Sequence, residues 1–199
     1  MEFVLKDLPL PASLITDVPM SDDQLLEFCA KNDLLRVERT RSGEIKLMSP
    51  TGSGTGAANA ELNRQLGNWA YDNGGVAFDS NTGFSLPDGS MMSPDAAWIS
   101  DPRWSALSAR DRSRFAPLCP EFVIELRSPS DSLPQLEQKM ALWIENGAQL
   151  AWLIDPEAEN VKVYRPGAAV EVHEHPTSVQ GTGLIATFEL LTDRIWHRD

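Results

Sequence analysis

Ser93-Pro94-Asp95-Ala96-Ala97-Trp98-Ile99 and Glu121-Phe122-Val123-Ile124-Glu125-Leu126-Arg127, followed by a helical segment that carries Lys139, are the stretch around which this chain is organised. Strict alternation in the second run places Phe122, Ile124 and Leu126 on one face of a strand and Val123, Glu125 and Arg127 on the other. A carboxylate and a guanidinium therefore share a face. Asp95 opens the first run, so if the two runs are neighbours in one sheet, two carboxylates and a cation can meet at one point. Two oxygen-donor acids beside a cation have the makings of a small hard-metal site with charge stabilisation alongside.

Outward from this stretch, Ser128 to Pro134 reads as an irregular turn, and Pro134 suits the first position of a helix that runs to Asn146 with Gly147 past its end. Leu136, Met140 and Trp143 form its buried stripe, and Lys139 sits roughly 40° round from Trp143 at 100° per residue. At that margin the lysine either snorkels to solvent or packs its stem and reaches over the sheet edge to Glu125. Residues 150–154 and 161–165 then flank Asp155-Pro156-Glu157-Ala158-Glu159-Asn160 as a hairpin. The tail offers strand-like pieces at 170–173 and 184–188 and a short end containing Trp196. All three histidines, His173, His175 and His197, lie there. His173-Glu174-His175 has no further ligand in view and reads as an exposed edge strand rather than a metal site.

Before the stretch, residues 1–20 are apolar and broken by Pro9, Pro11 and Pro19, which suits an extended arm. Ser21 and Gln24 form a capping box, with Met20 and Leu25 as the staple, for a helix to about Lys31. Arg36-Val37-Glu38-Arg39 and Glu44-Ile45-Lys46-Leu47-Met48 flank Arg41-Ser42-Gly43 as a hairpin with polar outer residues. Gly52, Gly54 and Gly56 lead into a helix, but without a Gly-Lys-Ser/Thr ending they read as a flexible connector rather than a phosphate cradle. That helix carries Ala58, Leu62, Leu66 and Trp69 on its apolar face, Asn59 at one margin, and Glu61 and Gln65 towards the other. Asn73-Gly74-Gly75 ends it. Strand candidates follow at 76–80, 83–86 and 95–99, with Pro87-Asp88-Gly89-Ser90 as a turn. Residues 101–119 form a loop or short helix whose Arg103, Arg110, Arg112 and Arg114 are the densest positive cluster in the chain.

At 199 residues one domain is expected, residues 1–199, with 1–20 as the arm and 21–190 as the core. No apolar run is long enough to span a bilayer and the N-terminus lacks a secretory pattern, so no membrane partner and a cytoplasmic location are expected. Cys29 and Cys119 are too few for a disulfide framework or a closed zinc site and read as small buried hydrophobes. The net charge of -12 weighs against general tight binding to nucleic acid, because such affinity comes largely from cations neutralising phosphates.

No Ser-His-Asp or Cys-His set is available, since every histidine lies near the C-terminal end. Metal-assisted phosphodiester hydrolysis needs no such nucleophile, and glycoside hydrolysis finds no sugar groove in the spacing. The order Pro94-Asp95, then Glu125-Leu126-Arg127-Ser128-Pro129-Ser130, then Lys139 resembles the PD-(D/E)xK nuclease superfamily, with its restriction-endonuclease-like fold. More narrowly, Met48-Ser49-Pro50-Thr51-Gly52, Asn81-Thr82-Gly83-Phe84-Ser85-Leu86, Ser93 to Trp98, Glu125 to Asp131 and Ala151-Trp152-Leu153-Ile154-Asp155-Pro156 resemble the Uma-two type of restriction endonuclease over roughly residues 20 to 190.

That resemblance implies an α/β (α+β) fold, a mixed central sheet flanked by helices, with an added N-terminal helix and β-hairpins. It implies Asp95 and Glu125 as ligands of Mg²⁺ or Mn²⁺, Glu61 as a third acid from the first core helix, and DNA as the substrate of a homodimer. Arg127 stands where the superfamily motif has lysine, and Lys139 from the next helix is the candidate to replace it. Asn59, Ser128, Arg110, Arg112 and Arg114 are the candidates for substrate contact. A relative that keeps the fold and has lost the chemistry, acting as a binding or regulatory module, is the alternative.

Overall fold

A computed structural model describes residues 10–196. Of the extended arm, residues 1–9 lie outside that range, and the rest contributes strand β1 (Ala12–Leu14). Helix α1 (Asp22–Lys31) starts as its sequence dictates: the Ser21 hydroxyl accepts from the Gln24 amide, and the Gln24 side chain accepts from the Ser21 amide. Strands β2 (Arg36–Arg39) and β3 (Ile45–Met48) pair antiparallel around Gly43, whose φ of 87° suits a residue without a side chain. Of the outer residues of this hairpin, Lys46 is exposed as expected but those of β2 are not. Glu38 and Arg39 are buried, Glu38 accepting from the Ser93 amide, and Arg39 donating to Met20 O, Gly89 O and the Asp22 carboxylate. A buried guanidinium whose donors are filled in this way is tolerated.

The glycine-rich connector is not a connector. Helix α2 (Ser53–Asn73) begins at its first serine, so Gly54 and Gly56 lie inside the helix and Gly52 is its N-cap. It is followed by β4 (Val76–Phe78), β5 (Phe84–Ser85), β6 (Met91–Met92) and β7 (Ala96–Ile99). Residues 101–119 hold two short helices, α3 (Asp101–Ala106) and α4 (Ala109–Arg112). Strand β8 (Phe122–Leu126), helix α5 (Leu133–Glu145), β9 (Leu150–Asp155) and β10 (Asn160–Tyr164) follow as anticipated. The tail has β11 (Glu171–Glu174), β12 (Ser178–Gln180), β13 (Glu189–Leu191) and α6 (Asp193–Trp196). The strand expected at 184–188 is instead a 3₁₀ turn, Gly183–Ile185, with Ile185 and Phe188 turned into the core.

Contacts group the chain into two compact units: residues up to 50 with 81–93 and 107–118, and residues 51–80, 94–106 and 119 onwards. The first holds a five-stranded sheet, β1-β3-β2-β6-β5, with α1 packed through Leu25 and Phe28 onto Val37, Ile45 and Leu47. The second holds a six-stranded mixed sheet, β11-β10-β9-β8-β7-β4, in which only β8 and β9 run parallel. Helix α5 is the crossover that a parallel pair requires. Alternation then sorts this sheet. Ala96, Trp98, Phe122, Ile124, Leu126, Trp152 and Ile154 share a core with Ala58, Leu62, Leu66 and Ala70 of α2. The intervening residues face α5, as the Lys162–Glu137 ion pair and the Glu125 contacts described below require. The result is a mixed sheet with a helix on each face, the architecture expected from the sequence.

Candidate functional site

Asp95 immediately precedes β7, and Glu125 lies in β8, its antiparallel neighbour. The register Ala96↔Ile124, carried one residue on, brings Asp95 level with Glu125, and the Asp95 amide donates to Ile124 O at 3.0 Å. The Asp95 carboxylate accepts from the Leu126 amide at 2.8 Å, so it lies against the backbone immediately after Glu125. Both acids are buried, at 7% and 2% exposure. Buried carboxylates need donors, and each has them. Asn59, at the margin of α2, donates to Asp95 Oδ1 at 3.4 Å, and Asn63 one turn later donates to Asp95 O at 3.0 Å and to Asn59 Oδ1 at 2.9 Å.

Glu125 takes its partners from α5. Lys139 Nζ lies 2.8 Å from Glu125 Oε1, and the Trp143 indole donates to the same oxygen at 2.8 Å. Lys139 therefore does not snorkel away from the sheet; its stem packs and its ammonium reaches the acid. Arg127 points elsewhere. Its Nη1 lies 2.7 Å from Asp155 Oδ2 and 3.6 Å from Glu157, and the Asp155 hydrogen bond holds its pKa above the usual value. Asp155 is 2% exposed, and its other oxygen accepts from the Glu157 and Ala158 amides. Arg127 thus secures the β9–β10 turn, and Lys139 is the cation beside Glu125.

Glu61 departs from the expected set. Its carboxylate is bonded by Arg64 at 2.5 and 2.9 Å and by Gln65 at 3.0 Å, and the Arg64 bonds hold it below the usual carboxylate range. Among the described residues no three His, Cys, Asp or Glu side chains come close enough to hold one ion, so the three-acid set is not assembled. The residues that remain, Asp95 and Glu125, still fit Mg²⁺ or Mn²⁺: they offer only oxygen, and Mg²⁺ is commonly held by one or two carboxylates with water and substrate phosphate completing the shell.

The other candidates are spread more widely. Ser128 does not join the acids; its amide and hydroxyl both donate to Asp131, closing the turn before α5. Arg103 pairs with buried Glu121 at 3.2 Å. Arg110, Arg112 and Arg114 belong to the first unit, where Arg114 pairs with Asp23 and Arg110 and Arg112 are exposed. His173 bonds Glu171 on the edge strand and His175 bonds Glu159 after the chain turns to a φ of 47°, so the two imidazoles do not line one strand face; His197 lies outside the described residues. Three contributors escaped the sequence: Asn63, Trp143 and Asp155. The first two carry a signal in hindsight, since Asn59 with Asn63 and Lys139 with Trp143 are each four apart on a helix and so share a face. Asp155 meets Arg127 only through strand pairing, which no local pattern announces.

No curated protein matches the chain in sequence. Among solved structures, a putative nuclease belonging to DUF820 from Anabaena variabilis ATCC 29413 superposes with a TM-score of 0.71 at 22% identity, covering 89% of this chain and 98% of that one. A DrdV–DNA complex gives a TM-score of 0.39 at 14% identity over 58% of this chain and 10% of that one. The first likeness establishes the fold. The family model Uma2, described as "Putative restriction endonuclease", matches residues 22–193, from the capped start of α1 to the tail, and the chain belongs to that family.

Proposed function

We propose that this protein is a metal-dependent endonuclease that hydrolyses DNA phosphodiester bonds, with Asp95 and Glu125 as the ligands of Mg²⁺ or Mn²⁺ and Lys139 as the catalytic cation. One observation carries the proposal: Lys139 Nζ lies 2.8 Å from Glu125 Oε1, on the strand next to the one that Asp95 opens. A bound Mg²⁺ or Mn²⁺ supplies Lewis-acid polarisation of a phosphoryl oxygen and a hydroxide at neutral pH. Hydrolysis forms one bond from a water oxygen to phosphorus and breaks one ester P–O bond, the leaving oxygen taking up a proton. The Lys139 ammonium places positive charge where the phosphorane's negative charge develops. Asn59 and Asn63 keep Asp95 oriented, and Arg127 is assigned to the Asp155 turn rather than to the reaction.

Supercoiled plasmid incubated with Mg²⁺ or Mn²⁺ tests this. Wild type should cleave, and Asp95→Ala and Lys139→Ala should lose at least about 100-fold, the scale on which positioned charges and metal ligands act. Absence of cleavage by clean wild-type protein with both metals overturns the proposal. It would favour the second reading, a binding or regulatory module, to which the net charge of -12 and the diversion of Arg127 to Asp155 give weight.

A further inference from the structure

We infer that Trp143 is a positioning residue for this metal centre: its indole N–H fixes the Glu125 carboxylate in the orientation that ligation requires. The inference rests on the metal-dependent nuclease reading above. Trp143 is fully buried and donates to Glu125 Oε1 at 2.8 Å, the oxygen that Lys139 also approaches at 2.8 Å. Four residues apart on α5, the two side chains lie on one helix face, so one rigid element delivers both donors to a single atom.

The N–H of the fully buried Trp143 is aimed at the acid proposed to hold metal. The two donors also differ in kind. Lysine is a charged group on a flexible stem, whereas tryptophan has two side-chain torsions and a body locked by packing. Trp143 supplies orientation, Lys139 supplies charge, and donors that orient a ligating side chain are typically worth about 10–100-fold in metal affinity or activity.

Mn²⁺ binding, followed by the loss of the free-ion electron paramagnetic resonance signal, separates these roles. Wild type should bind saturably, Trp143→Phe should bind about 10–100-fold more weakly while still folded, and Lys139→Ala should keep or gain affinity as a positive charge is removed. If wild type binds Mn²⁺ and folded Trp143→Phe binds within about twofold of it, the positioning role is overturned and the nuclease reading stands. If wild type binds no Mn²⁺, the underlying reading falls and the inference with it. Should Trp143→Phe fail to fold, ¹⁵N-labelled wild type decides: Mg²⁺ should shift the Trp143 indole resonance with the midpoint found by calorimetry, and a resonance that stays fixed while Mg²⁺ binds overturns the inference.

Discussion

Arg127 and Lys139 show how two cations within a dozen residues acquire different work. Both border the same strand, and spacing alone leaves either able to serve as the motif lysine. The difference arises from what each can reach. Arg127 lies past the end of β8, where the parallel neighbour β9 brings Asp155 alongside, and its amide already donates to Ile154 O at 2.8 Å. A single guanidinium nitrogen, Nη1, reaches that buried carboxylate in a charge-assisted bond. Lys139 comes from a helix on the other side of the loop, with a stem long enough to cross to Glu125. Truncating each should therefore have opposite signatures. Arg127→Ala leaves Asp155 Oδ2 without its partner and should cost about 1–3 kcal/mol in urea denaturation, the usual penalty for an unsatisfied buried acceptor. The folded variant should still cut plasmid within several-fold of wild type. A folded Arg127→Ala protein that has lost cleavage as completely as Lys139→Ala would return the guanidinium to the chemistry. At this scale the sequence exposed the acids and both cations, because strand alternation and helix angle are local. It hid Asp155, because the pairing that brings it to Arg127 spans 28 residues.

Helix α2 raises the corresponding question for a whole element. Its glycines suggested a loop by propensity, yet the helix runs unbroken from Ser53 to Asn73. The stripe of Ala58, Leu62, Leu66 and Ala70 explains why: buried against β7, β8 and β9, it outweighs roughly 1 kcal/mol of helix propensity per glycine. Gly67 lies in mid-helix, and a Cβ there would meet nothing within 4 Å. Gly67→Ala should therefore stabilise the protein by about 0.5–1 kcal/mol, raising its thermal midpoint by a few degrees with cleavage unchanged. A fall in the midpoint would mean that the glycine is needed for a close approach that the fold does not reveal. Other elements were legible where their signal is short-ranged, as with the Ser21 capping box and Pro134 in the first turn of α5. Two-residue β6 and the 3₁₀ turn at Gly183–Ile185 were not, since neither is long enough to display a period.

For the molecule as a whole, the difficulty is charge. Each unit is assembled from three separate segments, and we propose that together they serve as one nuclease-like domain acting as a homodimer, because one such site cuts one strand. On the nuclease reading, a chain of net charge -12 should engage DNA through few phosphate contacts, so its binding should depend only shallowly on salt. Each phosphate contact contributes about -0.9 to the slope of log K against log salt, and slope therefore counts contacts where affinity alone does not. Arg110 and Arg112 are exposed at the short helix α4, and Arg103 and Arg114 are less exposed, beside Glu121 and Asp23. If the exposed pair touches phosphate, Arg110→Ala and Arg112→Ala should each flatten the slope by about 1, measured by titrating Asp95→Ala protein onto duplex DNA with Ca²⁺ present to prevent cutting. Arg103→Ala should leave the slope as it is, since its guanidinium already answers a carboxylate. Slopes that stay the same in all three variants would remove α4 from the DNA-binding surface and leave the cationic contribution to other residues, Lys139 among them.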